Sequence, residues 1–102
     1  MDNMMTDSIF INSETILERE YKDNSHIKKI KIGRDVKNIG AEAFAMCSNI
    51  KSIEVDEKNE HFTSANGSNA IIDKISGLLI VGCQTTAIPK CVTEIGPFAF
   101  CA

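Results

Sequence analysis

Two segments of this chain, HIKKIKI at residues 26–32 and NIKSIEV at residues 49–55, place apolar residues at the same intervals. Their separation of 23 residues lies within the periods of known repeat proteins, which run from about 20 to 50 residues. One such unit cannot bury its apolar side alone and must stack on a neighbouring unit. The apolar pairs that match are Ile27 with Ile50, Ile30 with Ile53, and Ile32 with Val55.

A second match, at a separation of 56 residues, places the same unit near the end of the chain. The segments VKNIGAEAF (residues 36–44) and VTEIGPFAF (residues 92–100) are identical at five of nine positions. Chance is a poor explanation, because the identities include a glycine and a phenylalanine. We call residues 27–47 the first unit, the residues from 50 onward the second unit, and residues 84–102 the third unit.

Each unit is predicted to contain a short strand, a second extended segment and a short helical turn. In the first unit, alternation up to Ile32 puts apolar side chains on one face of a strand. The second extended segment is Val36–Ile39, and Gly40 ends it. The following AEAFAMC predicts one or two helical turns with Phe44 as a buried anchor, and PFAFCA predicts the same around Phe100.

An insertion separates the second and third units. Val55 and Ile88 are 33 residues apart, ten more than the repeat period. Within this extra length, AIIDKISGLLIVG predicts a β-hairpin with arms Ala70–Asp73 and Leu78–Val81 and a turn at Ser76–Gly77. We place the hairpin insertion at about residues 57–83.

The segment IKKIKIGRDVKNIGAEAFAMCSNIKSIEV resembles the BspA-type leucine-rich repeat, a pattern of the form LxxIxIPxxVxxIGxxAFxxC. The resemblance covers about residues 27–102, with Pro89 at the usual proline position and Gly33 replacing it in the first unit. It implies a right-handed leucine-rich-repeat solenoid of short β-strands and short helical turns, with two to three coils and hairpin insertions. The predicted core consists of Ile27, Ile30, Ile32, Val36, Ile39, Phe44, Cys47, Ile50, Ile53, Val55, Ile88, Val92, Ile95 and Phe100.

The N-terminal segment FINSETILEREY more loosely resembles the hairpin that often opens such arrays. We therefore expect Ile9–Asn12 to pair with Ile16–Tyr21 as a cap. The predicted organisation is a capping hairpin at residues 1–25 followed by the repeats at residues 26–102.

Composition is that of one globular domain, since 43% of the 102 residues are apolar and 25% are charged. A net charge of −3 gives no electrostatic drive toward nucleic acid, and no apolar run is long enough for membrane insertion. The N-terminus lacks the positive charge and apolar segment of a signal peptide. The family resemblance nevertheless implies a cell-surface or secreted protein, so the sequence leaves the location open.

No motif points to catalysis, to a cofactor or to a metal. The two histidines, His26 and His61, do not accompany a serine elbow such as GxSxG. The four cysteines lack CxxC spacing, which argues against a zinc site and favours reduced, packed thiols. We therefore predict a protein that is not an enzyme and holds no cofactor.

The resemblance implies that a partner binds at the strand surface. The candidate partner-binding residues are the outward positions Lys29, Lys31, Ser52, Glu54 and Thr85. Lys31 and Glu54 are one period apart and should be cross-strand neighbours. The alternative is a solvated face with one charge pair, and the basic run at residues 28–37 is also interpreted as a solvated polar face.

Two functions remain open at this point. The resemblance implies a non-catalytic module that binds a protein or a glycan, of the adhesion or host-interaction type. The second hypothesis is a structural repeat that self-assembles through its C-terminal unit, because the sequence ends at Ala102 before that unit is complete. Neither hypothesis identifies the ligand.

Overall fold

The computed structural model describes residues 8–18, 20–22, 26–40, 42–47, 49–96 and 99–100. Strands dominate these residues, and their one helical segment is a 3-10 turn at Ala65–Gly67. The strands are β1 (Ser8–Ile11), β2 (Thr15–Ile16), β3 (Lys29–Ile32), β4 (Asn38–Ile39), β5 (Ser52–Val55), β6 (Phe62–Thr63), β7 (Ile71–Asp73), β8 (Leu78–Val81) and β9 (Glu94–Ile95). They form three sheets with the orders β1-β3-β5, β2-β4 and β6-β7-β8-β9.

The first sheet is a parallel ladder of equivalent segments. Ser8 aligns with Lys29 and Lys29 aligns with Ser52, so successive strands are 21 and 23 residues apart. Ile30 aligns with Ile53, which confirms the predicted lateral pair. The sequence period thus appears in the structure as strand pairing, while the handedness of the winding and the number of coils stay predictions.

The predicted N-terminal hairpin is wrong, because β1 and β2 pair with the first unit and not with each other. β1 lies parallel to β3, and β2 lies parallel to β4. The Glu14 carbonyl also accepts hydrogen bonds from the N–H groups of Lys37 and Asn38, at 2.8 and 3.1 Å. Residues 8–22 therefore form a further unit, the leading unit, ahead of the first.

Burial explains this pairing. Ile11 and Ile16 are 6% and 0% exposed in the leading unit, and a lone two-stranded hairpin offers no core that could cover them. Stacked in parallel on the first unit, they join the main core instead.

Gly33 replaces the expected proline because Asn12 of the leading unit packs against it. The Asn12 Oδ1 accepts a hydrogen bond from the Asp35 N–H at 2.9 Å, and its Nδ2 donates to the Asp35 carboxylate at 2.8 Å. A Cβ atom at position 33 would overlap the Asn12 side chain. A side chain at this position would therefore displace the asparagine that joins the two units.

The segment AEAFAMC forms successive tight turns, so the predicted helical turns are wrong for this unit. The N–H groups of Ala43, Ala45 and Cys47 each bond to the carbonyl three residues earlier, at 3.1 to 3.3 Å. Met46 has a φ of +62°, which interrupts any helical continuation. The turns still bury Phe44, which is 5% exposed.

The predicted hairpin is present as β7 and β8, and β6 adds a third antiparallel strand that the sequence did not indicate. The other edge of β8 pairs in parallel with β9 of the third unit, where Leu79 aligns with Ile95. Arm β8 therefore supports the third unit as β2 supports the first.

One main core underlies the leading, first and second units and the insertion. The predicted core residues of the first and second units belong to it, with Ile39 and Val55 partly buried at its margin. The fully or nearly fully buried members of the predicted set are Ile27, Ile30, Ile32, Val36, Phe44, Cys47, Ile50 and Ile53.

The third unit departs from the predicted core. Ile88, Ile95 and Phe100 are 54%, 48% and 45% exposed, so their assignment to the core is wrong. Val92 is partly buried against a smaller cluster that includes Leu79. The physical reason is position, since no described segment packs over this side of the third unit as the second unit packs over the first.

A buried asparagine joins the first unit to the second. Asn59 is 0% exposed, and its Nδ2 donates to the carbonyls of Gly33 and Val36 at 2.8 and 3.0 Å. Its Oδ1 accepts from the N–H groups of His61 and Phe62 at 2.7 and 2.8 Å. One amide thereby satisfies four backbone groups in the interior.

Candidate partner-binding surface

The outward side of the β1-β3-β5 sheet is the candidate surface, and we call it the strand face. In β3, exposed Lys29 and Lys31 alternate with buried Ile30 and Ile32, because successive side chains of a strand point to opposite sides. The strand face consists of Ser8, Phe10, Lys29, Lys31, Ser52 and Glu54.

Register arranges these residues in two rows across the sheet. One row contains Ser8, Lys29 and Ser52, and the other contains Phe10, Lys31 and Glu54. Lys31 and Glu54 therefore lie side by side, as the period predicted. Neighbouring strands are about 4.8 Å apart, so the second row presents an aromatic ring, a cation and an anion in sequence.

Phe10 is the residue of this surface that sequence reasoning missed. Its side chain is 63% exposed, and its Cα aligns with that of Lys31. The signal was present, since Ile9 and Ile11 flank Phe10 as Ile30 and Ile32 flank Lys31.

Thr85 does not form the predicted third row. It is exposed, but residues 84–88 form no strand. Its hydroxyl donates to the Lys51 carbonyl at 2.6 Å, so Thr85 lies at the margin of the strand face beside the start of β5.

The outer edge of β5 is closed by side chains of the insertion. The Val55 N–H donates to Ser64 Oγ at 3.0 Å, and the Ile53 N–H donates to Asn69 Oδ1 at 3.3 Å. Binding by strand addition needs free backbone groups at a sheet edge. A partner at this end of the sheet is therefore expected to use the strand face and not the edge of β5.

A charged cleft of about 270 Å³ lies in the loops that follow β3 and β5. The residues that line it are Arg34, Asp35, Lys37, Lys58, Glu60 and His61. Lys37 also lies 3.5 Å from the Glu14 carboxylate. The basic run at 28–37 is thus divided between the strand face and this mixed-charge cleft, and it does not form one continuous cationic surface.

The described part of the chain contains no cluster of three or more histidine, cysteine or acidic residues suited to a metal ion. No helix within the same residues has the length and apolarity needed to cross a bilayer. Cys47 is buried and its thiol donates to the Tyr21 carbonyl at 2.9 Å, while Cys91 is exposed. Cys101 lies outside the described residues.

Comparison with solved structures gives a likeness at the level of the fold. A crystal structure of a leucine-rich repeat protein from Eubacterium ventriosum ATCC 27560, at 2.50 Å resolution, matches with a TM-score of 0.61 and 19% sequence identity. The match covers 72% of this chain and 20% of that one, so the chain spans about a fifth of that protein. No curated protein sequence matches the chain.

Comparison with family models gives the more specific result. The model described as BspA type leucine rich repeat region (6 copies) matches residues 3–76. This span includes the leading unit, whose strands pair with the first unit as repeats do. The chain therefore belongs to the BspA-type leucine-rich repeat family.

Proposed function

We propose that the chain is a non-catalytic binding module that recognises a protein or glycan partner through the strand face. The family commonly mediates protein interactions, and adhesion or host contact at a cell surface is the role that fits it best. A right-handed solenoid of two to three coils would present the strand face as a rigid surface, so that little conformational entropy is lost when a partner binds.

The observation that supports this proposal is the exposed ring of Phe10 in a row with Lys31 and Glu54. Aromatic side chains supply a large share of binding energy at interfaces, and charges around them select the partner. A flat ring flanked by polar groups also suits the apolar face of a sugar.

The experiment is capture on a panel of immobilised oligosaccharides and matrix proteins by the wild type and by Phe10→Ala. For any probe that is captured, we expect Phe10→Ala to weaken binding at least tenfold, or about 1.4 kcal/mol. Reversing the charges of Lys31 and Glu54 together should abolish capture without lowering the melting temperature.

Ile75→Ala is the matched control. Ile75 is 89% exposed but lies in the turn between β7 and β8, outside the strand face. Its replacement should leave capture unchanged. If Phe10→Ala and the charge reversal bind as the wild type does, the strand face is not the binding surface.

A further inference from the structure

The exposed side of the third unit is a second surface of interest. We call Ile88, Ile95 and Phe100 the terminal face. Each is the same residue type as its counterpart 56 positions earlier, in the first unit. Of those counterparts, Ile32 and Phe44 are 0% and 5% exposed.

The third unit is held on its inner side as the first unit is held. The Gly40 N–H donates to the Ile16 carbonyl at 2.8 Å, and the Gly96 N–H donates to the Leu79 carbonyl at 2.8 Å. The equivalence extends further along both units, since Ala43 and Ala99 each accept a backbone hydrogen bond from the preceding element, at 2.8 and 2.7 Å. The third unit is thus built and docked like the first.

The difference lies on the outer side. In the first unit, the residues equivalent to the terminal face pack against the second unit and join a core that includes Phe62. On the third unit the same residue types face outward, beside a cleft of about 460 Å³ lined by Ala87, Ile88 and Pro89 among others. The terminal face therefore has the composition of a surface that packs against another unit of the same kind.

We propose that a second copy of this chain packs against the terminal face, with the two terminal faces meeting about a two-fold axis. A two-fold contact uses the same patch on both copies and must be self-complementary. The terminal face meets this condition, since exposed Lys90 and Glu94 bring opposite charges to the margin of its apolar centre. This contact is independent of the strand face.

The patch is small, so the dimer is expected to be weak. Stable interfaces bury about 800 Å² per partner, and three half-exposed side chains supply only part of that area. We therefore expect reversible dimerisation that rises with protein concentration across the micromolar range.

Sedimentation velocity over a wide concentration range tests the proposal. The expected result is a monomer–dimer equilibrium in the wild type and an Ile95→Lys variant whose dissociation constant is raised at least tenfold. Because Ile95 is 48% exposed, the variant should remain folded, and its urea midpoint verifies this. Ile88→Lys should act in the same way and serves if Ile95→Lys does not fold.

Two controls assign the effect to the terminal face. Ile75→Lys, in an exposed turn elsewhere, and Phe10→Ala, on the strand face, should both dimerise as the wild type does. A wild type that stays monomeric at all concentrations overturns the proposal. Unlimited growth beyond the dimer, or loss of association in Phe10→Ala, overturns the two-fold contact through the terminal face.

Discussion

The first and third units carry the same sequence pattern, yet the energetic roles of equivalent residues differ. Phe44 is 5% exposed and stacks on Tyr21 at a ring distance of 5.3 Å. Phe100 is 45% exposed and lies against Gly82, which offers no ring. In a repeat protein, then, the unit provides the residue type, and the neighbouring unit determines how much free energy that residue contributes.

The largest expected effect compares the two phenylalanines directly. Phe44→Ala should lower the free energy of unfolding by about 3–5 kcal/mol, as expected for a buried aromatic residue. Phe100→Ala should cost about 1 kcal/mol, because roughly half of its surface is already in water. Urea unfolding at low protein concentration measures both values free of self-association, and equal losses would contradict the comparison.

The second prediction removes the contact that makes the first unit different. Asn59→Ala should cost about 2–4 kcal/mol, because buried carbonyl and N–H groups lose their partners. Asn38→Ala is the control, since its exposed amide makes one long hydrogen bond to Thr15, at 3.4 Å. Chemical unfolding of both variants should show a loss for Asn38→Ala below about 0.5 kcal/mol.

A smaller effect is expected at two glycines in equivalent positions. A Cβ atom at Gly40 would overlap the Glu18 backbone, so Gly40→Ala should cost about 1–3 kcal/mol. At Gly96 the added atom would lie 3.1 Å from the Leu79 carbonyl oxygen. Gly96→Ala should cost less than about 1 kcal/mol, because the lower entropy of the unfolded chain offsets the tight contact. Thermal melts compare the pair, and a larger loss at Gly96 would show that the third unit is the more tightly docked.

The smallest effect concerns pH. Burial, and next the neighbouring Glu20 carboxylate, raise the pKa of Tyr21 above its usual value. Below the unfolded pKa of about 10, Tyr21 is neutral in both states and its contribution is fully present. As the pH rises through the folded pKa, that contribution is lost, so stability should fall on the alkaline side.

Absorbance titration can follow this group alone, because Tyr21 is the one tyrosine in the sequence. Tyr21→Phe should remove the part of the alkaline decline that depends on Tyr21, while the ring stacking on Phe44 is kept. An unchanged decline in that variant would mean that other groups cause it.

The sequence predicted the features that depend on periodicity within a short segment. The Ile30–Ile53 register and the β7–β8 hairpin follow from alternation and from the Ser76–Gly77 turn, and both are present. The helical turns were not predictable from AEAFAMC, because so short a segment gains little from helix propensity and its conformation is decided by the backbone at Met46.

The remaining errors concern partners that a single strand does not specify. Alternation around Phe10 fixes which side chains face outward, but it does not distinguish an antiparallel partner from a parallel one. Likewise, the pattern around Ile95 specifies an apolar residue without specifying what covers it. Asn59 was missed for the same reason, since its value depends on carbonyls in the neighbouring unit.

The closed edge of β5 has a consequence for the behaviour of concentrated solutions. Ser64 and Asn69 use the N–H groups that would otherwise template the next strand of a growing fibril. Replacing one hydroxyl or one amide there would therefore change the tendency to form amyloid more than it changes the native fold.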